Sequence, residues 1–304
     1  MMTLSVRTPD ERFESIGWDV GPHYLVHPDG LRQHYVDQRP TGRERGTFLL
    51  LHGEPTWGYL YRDWIAPLVE AGFRVVVPDH FGFGRSDKPT NDGWYTIARH
   101  RAALDHLIRT LDLDDVHLVV QDWGGPIGLC TADGDLSRYR RAFILNTWLH
   151  DDDFEYSEGI RAWRAMALDP EALGGDMPAG RIVSGTLRRP GHDAEAMAAA
   201  FDAPFTGYES KAGARRFPVC IPFGEPGLGD AALQSEVRAR LRTWPIPVHV
   251  IFGDADPIFT PEWGEQWAAE IEGATFDRIE GAGHFLQIDA PIDVLAAVFG
   301  HLGR

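Results

Sequence analysis

Cysteine is scarce in this chain of 304 residues: Cys130 and Cys220 are the only two, far apart and in apolar surroundings. That excludes metal-binding CxxC spacing, and it reads as buried free thiols in a reducing compartment more readily than as a disulfide framework. Positive charge is also short. The 29 Lys and Arg against 45 Asp and Glu leave a formal charge of −16, a field that repels nucleic-acid backbones and anionic lipid surfaces. No apolar run approaches the ~20 residues of a membrane-spanning helix. Met1 to Phe13 is polar and mixed in charge, without the apolar core of a secretory signal. A cytoplasmic protein with neither nucleic acid nor membrane as partner is expected.

The remainder is ordinary globular composition, 43% hydrophobic and 24% charged, with length enough for a large core. From residue 47 onward, short β-branched runs alternate with segments of helical period, the pattern of a parallel sheet covered by helices on both faces. The expected buried strands are Thr47 to Leu51, Arg74 to Pro78, Val116 to Gln121, Ala142 to Leu145, Val248 to Phe252 and Thr275 to Ile279. Two earlier alternating runs, His23 to His27 and Leu31 to Asp37, flank the turn Pro28-Asp29-Gly30 and predict an antiparallel edge hairpin. Between Trp148 and Pro222 the strand rhythm stops, and the text becomes helical and irregular. The expected architecture is α/β: a main domain over 1–147 and 223–304, interrupted by a helical cap over 148–222. No internal repeat is present. The acidic run Asp151 to Asp153 and the alanines Ala198 to Ala200 are too short to be low complexity.

The strongest local signal is Leu118-Val119-Val120-Gln121-Asp122-Trp123-Gly124-Gly125-Pro126, an apolar strand, a tight turn and a glycine-rich helix start. Small residues there let strand and helix approach closely enough for the apex residue to protrude, the geometry of a nucleophile elbow. The apex is Asp122, whose carboxylate can attack carbon directly and form an ester that water must later open. The simpler reading is that Asp122 caps the following helix. A second strand ends in His52-Gly53-Glu54-Pro55. In hydrolases of this architecture the N–H after such a turn joins the N–H following the nucleophile in an oxyanion hole, here the backbone groups of Glu54 and Trp123. His52 itself is expected to hold the turn locally.

Gly281-Ala282-Gly283-His284-Phe285 follows the last expected strand, and His284 comes last in the order nucleophile, acid, His of the α/β-hydrolase arrangement. The acid then belongs to Gly253-Asp254-Ala255-Asp256. Asp256 is preferred and Asp254 stays open, since Asp254 directly follows the strand's glycine and suits a turn brace. The same loop superficially matches a calcium loop through Asp254, Asp256 and Glu265, but Ile258 and Phe259 occupy positions that need an oxygen and a glycine. His150 beside Asp151 to Asp153 reads as a solvated acidic run. No metal and no cofactor are expected.

Together His52-Gly53-Glu54-Pro55-Thr56-Trp57, Asp79-His80-Phe81-Gly82-Phe83-Gly84-Arg85-Ser86-Asp87-Lys88-Pro89 and Val120-Gln121-Asp122-Trp123-Gly124-Gly125 resemble the signatures of haloalkane dehalogenases of the α/β-hydrolase superfamily. The likeness runs from about residue 20 to the end of the chain. It implies a mostly parallel eight-stranded sheet with an inserted helical cap, and it implies halide-stabilising donors. Trp123 matches one such donor. The second is, in different subfamilies, an Asn after the His-Gly turn or a Trp on the cap. Glu54 occupies the turn position, so the resemblance points to the cap, with Trp163 preferred and Trp148 the alternative. Some relatives carry a Glu after the sixth strand, where this chain has Asn146, which again directs the triad acid to the Asp254 to Asp256 loop.

The expected reaction is displacement of halide from a small halogenated hydrocarbon by Asp122, followed by hydrolysis of the ester with His284 as base, to a primary alcohol, halide and a proton. The Glu54 side chain is a further candidate to accept from the hydrolytic water. A monomer is expected. Phe83, Phe205, Phe217, Ile258, Phe285 and Leu286 are as compatible with core as with cavity wall. The alternatives are an epoxide hydrolase using the same Asp with Tyr156 and Tyr208 as proton donors, favoured less because Gln121 stands where that family usually has His, and a non-catalytic ligand-binding relative.

Overall fold

The computed structural model describes residues 3–18, 20–151, 154–173 and 175–303. Its central sheet has eight strands: β1 His23–Val26, β2 Arg32–Gln38, β3 Thr47–Leu51, β4 Arg74–Pro78, β5 Val116–Gln121, β6 Tyr139–Leu145, β7 Val248–Gly253 and β8 Thr275–Ile279. Their order across the sheet is β8-β7-β6-β5-β3-β4-β2-β1. All neighbours are parallel except β1 with β2 and β2 with β4. Strands β3, β4 and β5 are buried at every position. Helices cover both faces there, so these strands read as unbroken apolar runs, while the edge strand β1 keeps exposed ends.

Strand β6 begins three residues before the expected Ala142. Arg140 is exposed, which gives the start a polar look, but Arg141 tucks its guanidinium inward to donate to the His301 carbonyl. A two-residue antiparallel pair, Ser5–Val6 with Lys88–Pro89, is too short to leave a periodic signal.

Helices α1 Arg62–Glu70, α2 Ile97–Thr110 and α3 Gly124–Ala132 follow strands β3, β4 and β5. Among the described residues five α-helices lie between β6 and β7: α4 Glu158–Leu168, α5 Ala179–Thr186, α6 Ala194–Asp202, α7 Ala212–Val219 and α8 Ala231–Leu241. Ser157 starts α4 by accepting from the Ile160 N–H, and Asp193 starts α6 in the same way. Helices α5 and α6 pack against each other, α4 packs on α7, and α8 returns to the sheet layer beside α3. Helices α9 Pro261–Glu270 and α10 Pro291–Leu302 complete the alternation. The first four helices of the insertion cover the end of the sheet where the parallel strands terminate. Among the described residues no helix is long and apolar enough to cross a membrane.

Candidate active site

The site grows from the carboxyl ends of the parallel strands, where an open α/β sheet presents its loops. Asp122 directly follows β5 and adopts φ +49°, the left-handed region that costs a non-glycine residue about 1–2 kcal/mol. The turn is held from three sides: the Asp122 N–H donates to the Asn146 carbonyl at 3.0 Å, while the Asp122 carbonyl accepts from the Gly125 N–H at 2.8 Å and from the Thr147 hydroxyl. Gly124 is required by the close approach of α3 to β3, because a Cβ there would lie 2.5 Å from the Leu51 carbonyl oxygen. The carboxylate turns toward Glu54, whose N–H donates to Oδ1 at 2.8 Å. The Trp123 N–H is directed at the same carboxylate. The two backbone donors expected from the sequence therefore converge on the Asp122 side chain. His52 takes the expected local role: its Nδ1–H donates to the Gly53 carbonyl and its Nε2 accepts from the His80 N–H, and burial pushes its pKa down to about 4.

His284 sits between two carboxylates. Its Nε2 is 3.8 Å from Asp122 Oδ2, and its Nδ1 is 2.9 Å from Asp256 Oδ2. Asp256 also accepts from the Ile258 N–H at 2.8 Å through Oδ1 and from the Asn146 side-chain amide at 2.8 Å through Oδ2. Asp254 instead accepts from the Gly281 N–H at 2.6 Å and braces the ends of β7 and β8. Burial lowers the imidazole pKa, but the facing Asp256 and then Asp122 outweigh it, so His284 is raised above its usual value. Burial raises the Asp122 carboxyl, opposed by His284 and by the Trp123 and Glu54 N–H groups. Glu54 is pushed well above the usual carboxylate range by burial and by Asp122 beside it, and among the described residues its Oε1 has no hydrogen-bond partner.

Asn146, noticed in the sequence only as a missing acid, ties the site together. Beyond its bonds to Asp122 and Asp256, its amide donates to the Gly283 carbonyl at 3.1 Å and its Oδ1 accepts from the Gly253 N–H at 2.9 Å. Asn146 adopts a φ of +30°, which Asn accepts more readily than most residues. Gln121 is a second such residue: its amide donates to the His284 carbonyl at 3.2 Å and lies the same distance from His284 Nε2.

A cavity of about 490 Å³ opens above Asp122, walled by Glu54, Pro55, His284, Phe285, Ile258, Pro257 and, from the insertion, Trp163, Ala162, Met166, Leu173, Arg181, Ile182 and Thr186. Trp163 therefore faces the same space as Asp122. Trp123, next in the chain to Asp122, is buried with its ring edge-to-face against Trp148 at 4.8 Å and Phe217 at 5.2 Å. Trp148 stacks on Phe259, and neither Trp148 nor Trp123 is among the residues that line the cavity. Of the apolar candidates, Ile258 and Phe285 reach the cavity, whereas Phe83, Phe205, Phe217 and Leu286 are core. Tyr156 shares a hydrogen bond of 2.8 Å with His150 and lines a different cavity, and Tyr208 is exposed beneath Arg215. Neither tyrosine reaches Asp122. In the acidic run, Asp151 pairs with Arg238 at 2.8 Å, and Asp152 and Asp153 lie outside the described residues. Among the described residues no group of His, Cys, Asp or Glu gathers to hold a metal ion.

Sheet order, elbow and triad geometry define a hydrolase of the α/β class with a carboxylate at the apex, and residues 46–173 match the family model for the alpha/beta hydrolase fold. The chain is 38% identical over 296 residues to a haloalkane dehalogenase of Psychrobacter cryohalolentis, covering 93% of each chain. It is 39% identical over 294 residues to one of Mycobacterium marinum, covering 94% of this chain and 95% of that one. The solved structure of haloalkane dehalogenase DpaA from Paraglaciecola agarilytica, described as a tetramer, superposes with a TM-score of 0.88 at 32% identity, covering 98% of both chains. The chain belongs to the haloalkane dehalogenase family.

Proposed function

We propose that this haloalkane dehalogenase works through Asp122 as nucleophile, His284 as base and Asp256 as the acid that orients the base. An Asp122 oxygen attacks the carbon bearing the halogen. The carbon–halogen bond breaks, and halide leaves with the bonding pair toward the indole N–H groups of Trp123 and Trp163. Indole suits this role because it donates, cannot accept, and keeps its surroundings apolar. His284 Nε2 then takes a proton from water, whose oxygen adds to the ester carbonyl carbon while the N–H groups of Glu54 and Trp123 hold the oxyanion. Collapse releases the alkoxide, which takes the proton from the imidazolium. The acid form of Asp122 ionises, and alcohol, halide and a proton leave.

The observation that carries this reading is the chain of contacts from the Glu54 N–H through the Asp122 carboxylate to His284 and on to Asp256. His284→Gln removes the base needed only for the second half-reaction. Intact mass spectrometry after incubation with a reactive bromoalkane should find the alkyl-enzyme, with the added mass on the peptide holding Asp122. Finding only free enzyme would overturn the assignment.

In this reading residues 1–147 and 223–304 supply nucleophile, base and acid, and 148–222 supply the second halide donor and close the cavity. One chain provides every group in the sequence of steps, so the working unit is inferred to be a monomer, checked by light scattering. The two free buried thiols, Cys130 and Cys220, suit the reducing cytoplasm.

A further inference from the structure

The wall of the active-site cavity runs from a buried floor to an exposed rim. Asp122, Glu54, His284 and Phe285 are buried, whereas Met166 is 47% exposed and Arg181 and Gly185 are exposed. The floor holds the carboxylates that line the cavity, and Arg181 is the cation at its rim. Several arginines elsewhere pair with acids, as Arg74 does with Asp37, Arg189 with Asp293 and Arg240 with Asp133, while Arg140 is another exposed arginine with no ion pair among the described residues. Among the described residues Arg181 forms no ion pair, and its guanidinium makes no hydrogen bond.

Helix stability does not account for the residue. Arg181 is the third residue of α5, whose first turn contains no acid, and a cation at that end opposes the helix dipole. Asp202 caps the same end from the α6 side by accepting the Gly180 N–H at 2.9 Å, and it does not pair with Arg181. A neutral haloalkane gains nothing from a charge at the rim. An anion approaching a protein of net charge −16 would gain a local attraction against the general repulsion.

We propose that Arg181 receives an anionic end group, so that the substrate range includes ω-haloalkanoates, chains with halogen at one end and a carboxylate at the other. This deepens the reading that Asp122 is the nucleophile of the same cavity and rests on it. The halogenated end reaches Asp122 through the apolar walls while the carboxylate stays at the wet rim beside the guanidinium. Because the charged end never enters the apolar part, it costs little desolvation there.

The test compares ω-bromohexanoate with bromohexane by bromide release. In the unsubstituted enzyme both are turned over. Arg181→Gln should lower the ratio of kcat/KM for bromohexanoate to that for bromohexane by about five-fold, the scale of one partly exposed ion pair, mainly through KM. Arg181→Lys should restore most of the ratio. A ratio unchanged in Arg181→Gln, or no bromide from bromohexanoate in the unsubstituted enzyme, overturns the proposal while leaving the dehalogenase reading intact. Failure to release bromide from bromohexane would overturn the nucleophile assignment instead.

Discussion

His284 Nε2 stands 3.8 Å from the Asp122 carboxylate, beyond hydrogen-bond reach, while His284 Nδ1 holds Asp256 at 2.9 Å. The imidazole is bonded to one acid and merely faces the other. In the proposed mechanism the facing pair couples the two half-reactions electrostatically. Each of the two facing groups favours the charged form of the other. In the proposed mechanism Asp122 loses its charge on becoming an ester, and part of what raises the His284 pKa goes with it. The proposed base is thereby released for the second step.

A pH dependence follows. Hydrolysis requires neutral His284, so its rate falls as pH drops through the imidazole pKa, which lies above the usual value in the free enzyme. In single-turnover experiments the acid limb of ester hydrolysis should lie below the His284 titration of the free enzyme, measured by NMR. Asp256→Asn should move both downward. An acid limb at or above the free-enzyme titration would contradict the coupling.

The two indoles make separable predictions. Bromide should quench the tryptophan fluorescence of the unsubstituted enzyme. Trp163→Phe and Trp123→Phe should each weaken halide binding about ten-fold, consistent with ~1–2 kcal/mol for a hydrogen bond to a charged partner. Trp148→Phe should leave the binding curve in place, since that ring is buried in a stack on Phe259 and is not next in the chain to Asp122.

Asn146→Ala removes two donated bonds and one accepted bond at a fully buried position. The Gly253 N–H then loses its partner, so the variant should lose about 1–3 kcal/mol of stability in urea denaturation. Ester hydrolysis should slow more than alkylation, because Asp256 loses a support and Asp122 keeps its own side-chain contacts. Equal slowing of both steps in a stopped-flow burst experiment would argue against this division.

Gly124→Ala would place a methyl group 2.5 Å from the Leu51 carbonyl oxygen. Backbone must move to admit it, and overpacking of this kind costs roughly 1–3 kcal/mol or more. A depressed urea midpoint is expected, together with loss of activity as the elbow shifts relative to Glu54. Wild-type activity and midpoint would show that α3 can retreat freely.

Much of the sheet was legible because its central strands are buried on both faces. The expected limits of Thr47–Leu51, Arg74–Pro78, Val116–Gln121 and Thr275–Ile279 are those observed. The start of Tyr139–Leu145 was not, since a buried arginine stem looks polar in a sequence. In the site, Asp122 and His284 were legible from turn chemistry and chain order. The ties of Asn146 were not, because they join residues more than a hundred positions apart. Nor was Arg181, which carries no motif and matters only through its place on the cavity rim.

The amino-acid sequence alone determined the alternation of strand and helix, the carboxylate apex and the order of the triad, because periodicity and turn chemistry act over neighbouring residues. Tertiary structure decided that Asp256 and not Asp254 faces the imidazole, that Trp163 and not Trp148 looks into the cavity, and that the exposed Arg181 joins its wall. Those outcomes depend on the direction of side chains brought together from distant segments, and direction is settled only when the segments pack.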